Sequence, residues 1–132
     1  MIDRYIPLPC SRRLEKTKVI LGYKSFIDYE KLGVQQFAIS FVFLKTTHQR
    51  KKEFIQFCKQ HPCVVYLEKS VGGPDIEIEV HVKNNGELRK MLDQFKERFV
   101  GMLHDYQILH IYEEHKNTYF PLKDPNLFNP RS

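Results

Sequence analysis

From Phe37 to Leu44 the segment FAISFVFL is apolar on both alternating faces. Phe37, Ile39, Phe41 and Phe43 fall on one side, Ala38, Val42 and Leu44 on the other, with Ser40 the exception. A strand of this kind needs cover on both sides of its sheet. Thr46, with Gln49 three residues on, resembles a capping box and opens a helix to about Gln60, in which Phe54, Ile55, Phe57 and Cys58 make an apolar stripe. His61-Pro62 ends it, because a residue before proline leaves the helical region. A second strand covers Val64 to Leu67 and stops at Gly72-Gly73-Pro74. The third is the plainest alternation in the chain: Ile76, Ile78, Val80 and Val82 against Asp75, Glu77, Glu79 and His81. Asn84 with Glu87 opens another helix, on which Leu88, Met91, Leu92, Phe95 and Phe99 keep helical spacing before Gly101. A fourth strand takes in about Asp105 to Tyr112.

The order is β-α-β-β-α-β, so the predicted fold is α+β: a ferredoxin-like sandwich whose strands run fourth, first, third, second across the sheet. Two helices cover one face only. The other face of the first strand is still apolar, which predicts a homodimer formed through the open face of the sheet. Glu77 and Glu79 suit a dry interface poorly and are expected near its wet rim or opposite Lys or Arg.

Length and composition fit one ordinary domain with a short appendage: 132 residues, 42% hydrophobic and 28% charged. The uncharged run from Val34 to Leu44 is too short to cross a bilayer. The first residues, with Asp3, Arg4, Pro7 and Pro9, lack the apolar core of a secretory signal, so a cytoplasmic protein is expected, with no membrane partner. Three cysteines without a C-x-x-C pair suit a reducing compartment and do not resemble a structural zinc site.

The net charge of +5 is uneven. Residues 1–60 hold 12 Lys+Arg against 5 Asp+Glu, whereas residues 61–132 hold 9 against 11. The densest cluster is Arg12, Arg13, Lys16 and Lys18; a second is Arg50, Lys51 and Lys52. Such clusters face phosphate in nucleic-acid binders, although runs this short are by themselves ordinary solvated faces. The six histidines are scattered. His81 and His110 fall on strands that are not neighbours, and no Cys, Ser or Asp stands with a histidine at a spacing that suggests a nucleophilic triad. No catalytic residue, metal site or cofactor is predicted, and Cys58 is expected to be a buried thiol.

Upstream of the first strand, RRLEKTKVILGYKSFIDYEKLG (Arg12 to Gly33) carries Arg13, Leu14-Glu15-Lys16, Val19-Ile20, Gly22-Tyr23, Ile27-Asp28 and Leu32-Gly33. With His61-Pro62 and Val64, Gly72 to Asp75, and Glu87-Leu88 downstream, the series resembles the Lrp/AsnC (feast/famine) transcription regulators over about Arg12 to Lys116. The resemblance implies an N-terminal winged helix-turn-helix that reads DNA. It also implies a C-terminal ferredoxin-like domain that pairs through its sheet, assembles into higher oligomers and binds a small effector, such as an amino acid, between dimers.

On that resemblance, residues 1–33 are a remnant of the winged helix-turn-helix and its linker, 34–116 the ligand-binding and dimerisation domain, and 117–132 an irregular tail. Three departures stand out. MIDRYIPLPCS, without helical period, occupies the place of some forty residues of the DNA-binding unit; Pro74 removes a backbone donor from the glycine-rich turn; and the tail is an extension. The implied effector contacts are Gly72, Gly73, Pro74 and Asp75, with Gln107 and Ile108 of the last strand. Glycines let N–H groups approach a carboxylate and Asp75 could meet an α-ammonium group, although the same residues also suit a plain hairpin turn. Arg12, Arg13, Lys16 and Lys18 would touch DNA phosphate without specifying sequence. A stand-alone ligand-sensing or interaction module that acts without DNA is the alternative. A small dimeric enzyme ranks last, since Ile76, Ile78, Val80 and Val82 offer no polar groups to a cavity between sheet and helices.

Overall fold

The computed structural model describes residues 8–117. They form two compact units, residues 28–114 and residues 8–27 with 115–117. The tail expected over 117–132 lies, apart from Asn117, outside the described residues.

The smaller unit corrects the sequence reading of its first segment, for α1 spans Leu8–Lys16 where no helical period was expected. Pro9 is tolerated in the first turn, where the backbone N–H has no partner to lose. Past the last turn, Val19 N–H donates to Leu14 O at 2.9 Å and Lys18 N–H to Glu15 O at 3.0 Å. Lys18 has φ 57°, so lysine holds the left-handed position of a Schellman stop that glycine usually takes. The Tyr23 hydroxyl donates to the Glu15 carboxylate, and this bond raises the phenol's pKa.

The larger unit runs β1 (Gln35–Phe43), α2 (His48–Gln60), β2 (Val64–Glu68), β3 (Ile76–Val82), α3 (Asn85–Arg98) and β4 (Leu103–Ile111). The sheet order is β2-β3-β1-β4 with every neighbouring pair antiparallel, the α+β ferredoxin-like arrangement that the alternation predicts. The register slips at Val64/Tyr66 between β2 and β3, and again at Val42/Phe43 between β1 and β4.

Asn84 caps α3 as expected, its side chain accepting from Glu87 N–H, while the Glu87 carboxylate accepts from Lys83 N–H rather than from the cap residue itself. For α2 the cap is Thr47, one residue later than predicted, accepting from Arg50 N–H at 3.2 Å. Phe54 and Cys58 of α2 and Leu88, Met91 and Phe95 of α3 bury against Phe37, Ile39, Phe41, Ile76, Ile78, Val80 and Val82. Aromatic rings dominate this layer. Phe54 meets Phe41 edge-on at 5.1 Å and Phe99 at 4.9 Å, and Phe41 stacks on Phe95 at 5.4 Å. No helix among the described residues is long and apolar enough to cross a membrane.

Candidate functional site

The turn between β2 and β3 bends through Gly72 at φ 75° and Gly73 at φ 139°, conformations that side chains resist, and Pro74 O accepts from the Ser70 hydroxyl. Asp75 follows with both ends of the residue engaged. Its N–H donates to Phe41 O at 2.9 Å, and Oδ2 accepts from Phe43 N–H at 2.8 Å. β3 begins only at Ile76, so beyond it the Asp75 side chain takes over as acceptor for β1. Lys51 Nζ stands 3.9 Å from Oδ1, both groups about two-fifths exposed. Sequence reasoning assigned Lys51 to a basic run, and nothing local in the sequence points to its pairing with a carboxylate after β2.

Gln107 and Ile108 lie on β4 opposite Ser40 and Ile39. Ile108 turns toward the core. Gln107 turns the other way, into a row across the sheet made with Glu68, Glu77 and Ser40. Asp75 and Gln107 are therefore on opposite sides of β1, two strand spacings or about 10 Å apart. The structure joins Gly72 to Asp75 in one turn and leaves Gln107 and Ile108 on a separate edge.

The face away from the helices is only partly covered by the described residues: Val42 is 36% exposed, Leu109 53% and Tyr66 54%. It is also more polar than β1 alone suggests. Of the two placements expected for Glu77 and Glu79, the one opposite Lys or Arg is not found among the described residues. Glu77 accepts from the Ser40 hydroxyl at 2.9 Å, and Glu79 lies 2.8 Å from His81 Nε2, with the His81 ring edge-on to Tyr29. Both carboxylates are half-buried on a central strand, where a neighbouring hydroxyl or imidazole is the partner within reach. His110 is on the helix side, stacked on Phe37 at 4.6 Å, with β1 between it and His81.

In the smaller unit Arg12, Arg13 and Lys16 are exposed on α1 and Lys18 lies just beyond it. They decorate a helix and the stop that ends it. Burial raises the Cys58 thiol to about 12, and burial followed by the Glu87 charge also raises Cys63. Both are held as thiols rather than reactive thiolates. Among the described residues no group of three His, Cys, Asp or Glu side chains could hold a metal ion.

No family model matches the sequence, and no curated relative matches it. Solved structures do. An AsnC family transcriptional regulator from Agrobacterium tumefaciens has a TM-score of 0.73 at 20% identity, over 87% of this chain and 77% of that one. A transcriptional regulator from Neisseria meningitidis, solved as a complex with L-Met, gives 0.73 at 21% over 89% and 79%. AsnC of E. coli gives 0.66 at 14% over 83% and 72%. The chain has the AsnC/Lrp fold. Within that fold, the Gly72–Asp75 turn closes one end of the sheet while the face opposite the helices stays open.

Proposed function

We propose that residues 34–116 are the effector-binding and oligomerisation part of a cytoplasmic transcription regulator of the AsnC/Lrp type. The observation that carries the reading is the open face of β1, where Val42 is exposed and Ala38 only partly covered by the described residues, in a fold shared with such regulators. A second copy packed there completes the sandwich, with Glu77 and Glu79 retaining Ser40 and His81 as partners so that neither of these two central carboxylates enters the interface unpaired. The effector is a small metabolite such as an amino acid, contacted by Gly72, Gly73, Pro74 and Asp75 of one turn and by Gln107 and Ile108 of β4. Since those groups lie apart in one chain, assembled copies supply the complete site. The Asp75–Lys51 pair does not obstruct it. An exposed pair is worth about 0–1 kcal/mol, so a ligand ammonium group can replace Lys51 cheaply. Arg12, Arg13, Lys16 and Lys18 add weak, salt-sensitive contact with DNA phosphate. The chain is a sensor rather than an enzyme.

Ligand binding would act by favouring one assembly over another. Sedimentation with and without a panel of amino acids tests the reading. The expected particle is at least twice the 15.8 kDa of one chain and changes with one of the ligands. A strictly monomeric chain indifferent to every ligand would overturn it.

A further inference from the structure

On the helix side of the larger unit is a cavity of about 410 Å³ that uses none of the residues assigned above to effector or DNA. It lies between the C-terminal end of α2, with Phe57, Gln60 and His61, and one face of α3 bearing Glu87, Lys90, Met91, Gln94 and Arg98. Its volume is that of a small-molecule site. Hydrogen bonding fixes which polar groups remain to meet a guest. His61 Nδ1 accepts from Cys63 N–H at 3.3 Å, so a neutral ring carries its proton on Nε2. Nε2 then donates to Gln94 Oε1 at 3.1 Å. With its oxygen engaged, Gln94 keeps its NH₂ group to offer.

Lys90, Gln94 and Arg98 recur every fourth residue and share one stripe of α3, so two cations flank that amide. Arg98 rests over the Phe57 ring at 5.0 Å, which spreads its guanidinium along the cavity wall. The opposing charge is less than the two units that Lys90 and Arg98 supply: Glu87, whose carboxylate accepts from Lys83 N–H at 2.7 Å, brings one, and the carbonyl end of α2 about half a unit.

We infer that this cavity binds a small organic carboxylate with a compact aromatic or aliphatic body, the carboxylate held by Lys90, Gln94 and Arg98 and the body resting on Phe57 and Pro62. Charge-assisted bonds from three donors on one rigid helix supply the selectivity for an anion. The site is complete in one chain, so it stands whether or not the chain dimerises.

Amide chemical shifts of the full chain titrated with phenylacetate test the assignment. We expect shifts centred on His61, Cys63 and Gln94 with an affinity of about 1 mM, as suits a ligand this small. The uncharged phenylacetamide binds about tenfold more weakly or worse. Gln94→Glu keeps an oxygen for His61 but replaces the donor by an anion, and it weakens phenylacetate by at least about tenfold, as does the pair Lys90→Gln and Arg98→Gln. The spectrum of each unliganded variant shows whether its fold is retained. Equal binding of acid and amide, full binding by a folded Gln94→Glu chain, no binding at all, or shifts confined to residues 72–75 and 107–108 would each overturn the inference. Only the last of these results bears on the proposed effector groups; the others leave the mass and amino-acid response of the chain untouched.

Discussion

The two faces of one four-stranded sheet differ sharply in what their residues require. Toward the helices, Phe37, Ile39, Phe41, Ile76, Ile78, Val80 and Val82 meet Phe54, Cys58, Met91 and Phe95, and all are buried within the chain. Toward the other side, Ala38, Val42, Tyr66 and Leu109 share the surface with Glu68, Glu77, Glu79, Gln107 and His81, and the described residues cover it only in part. The same strands β1 and β3 supply both faces, by alternation alone. The first face gives the unit its stability, and the second is the one on which the proposed association rests.

The largest effect that separates the faces is a cavity under the first. Phe54→Ala removes a ring packed on Phe41, Phe95 and Phe99, and it should lower unfolding free energy in denaturant titrations by about 3–5 kcal/mol. A loss below about 1 kcal/mol would show that this aromatic layer does not bear the fold.

Next in size is an alkaline effect on the same face. Cys58 keeps its proton to about 12 in the folded chain, whereas an unfolded chain releases it from about pH 9. Its contribution is therefore fully present below pH 9 and is lost as pH climbs toward 12, by at most about 1.4 kcal/mol per pH unit. The stability of Cys58→Ala should fall less steeply over that window than that of the unchanged protein. Identical slopes would mean that the thiol is not desolvated.

The smallest effect on folding belongs to the open face. Leu109→Lys replaces an exposed residue and should change the stability of a single chain by no more than about 0.5 kcal/mol. It should nevertheless shift sedimentation toward the monomer. A variant that still dimerises fully would move the interface to another surface.

Which parts of this architecture were legible follows from how local their causes are. β3 announced itself through strict alternation, and Asn84 through a cap whose partner lies three residues away. Thr46 and Thr47 stand side by side, so the pattern located the start of α2 but chose the wrong hydroxyl. α1 escaped because it is only nine residues long and carries Pro9 in its first turn, a residue that reads as a break. At the candidate sites the causes are distant in sequence. Asp75 meets Phe43 across 32 residues, and Gln94 meets His61 across 33, so neither role can be read from neighbours. The spacing of Lys90, Gln94 and Arg98 is visible in the chain but reads as an ordinary wet helix face until the end of α2 is set beside it.

The unequal margins of the sheet have a consequence for solubility. β2 is five residues long, interrupted by a register slip and closed by Glu68, all of which spoil it as a template for an added strand. β4 is nine residues long, and its one slip comes only at its beginning. Runaway strand-to-strand polymerisation needs two receptive margins on every chain, and the described residues offer one.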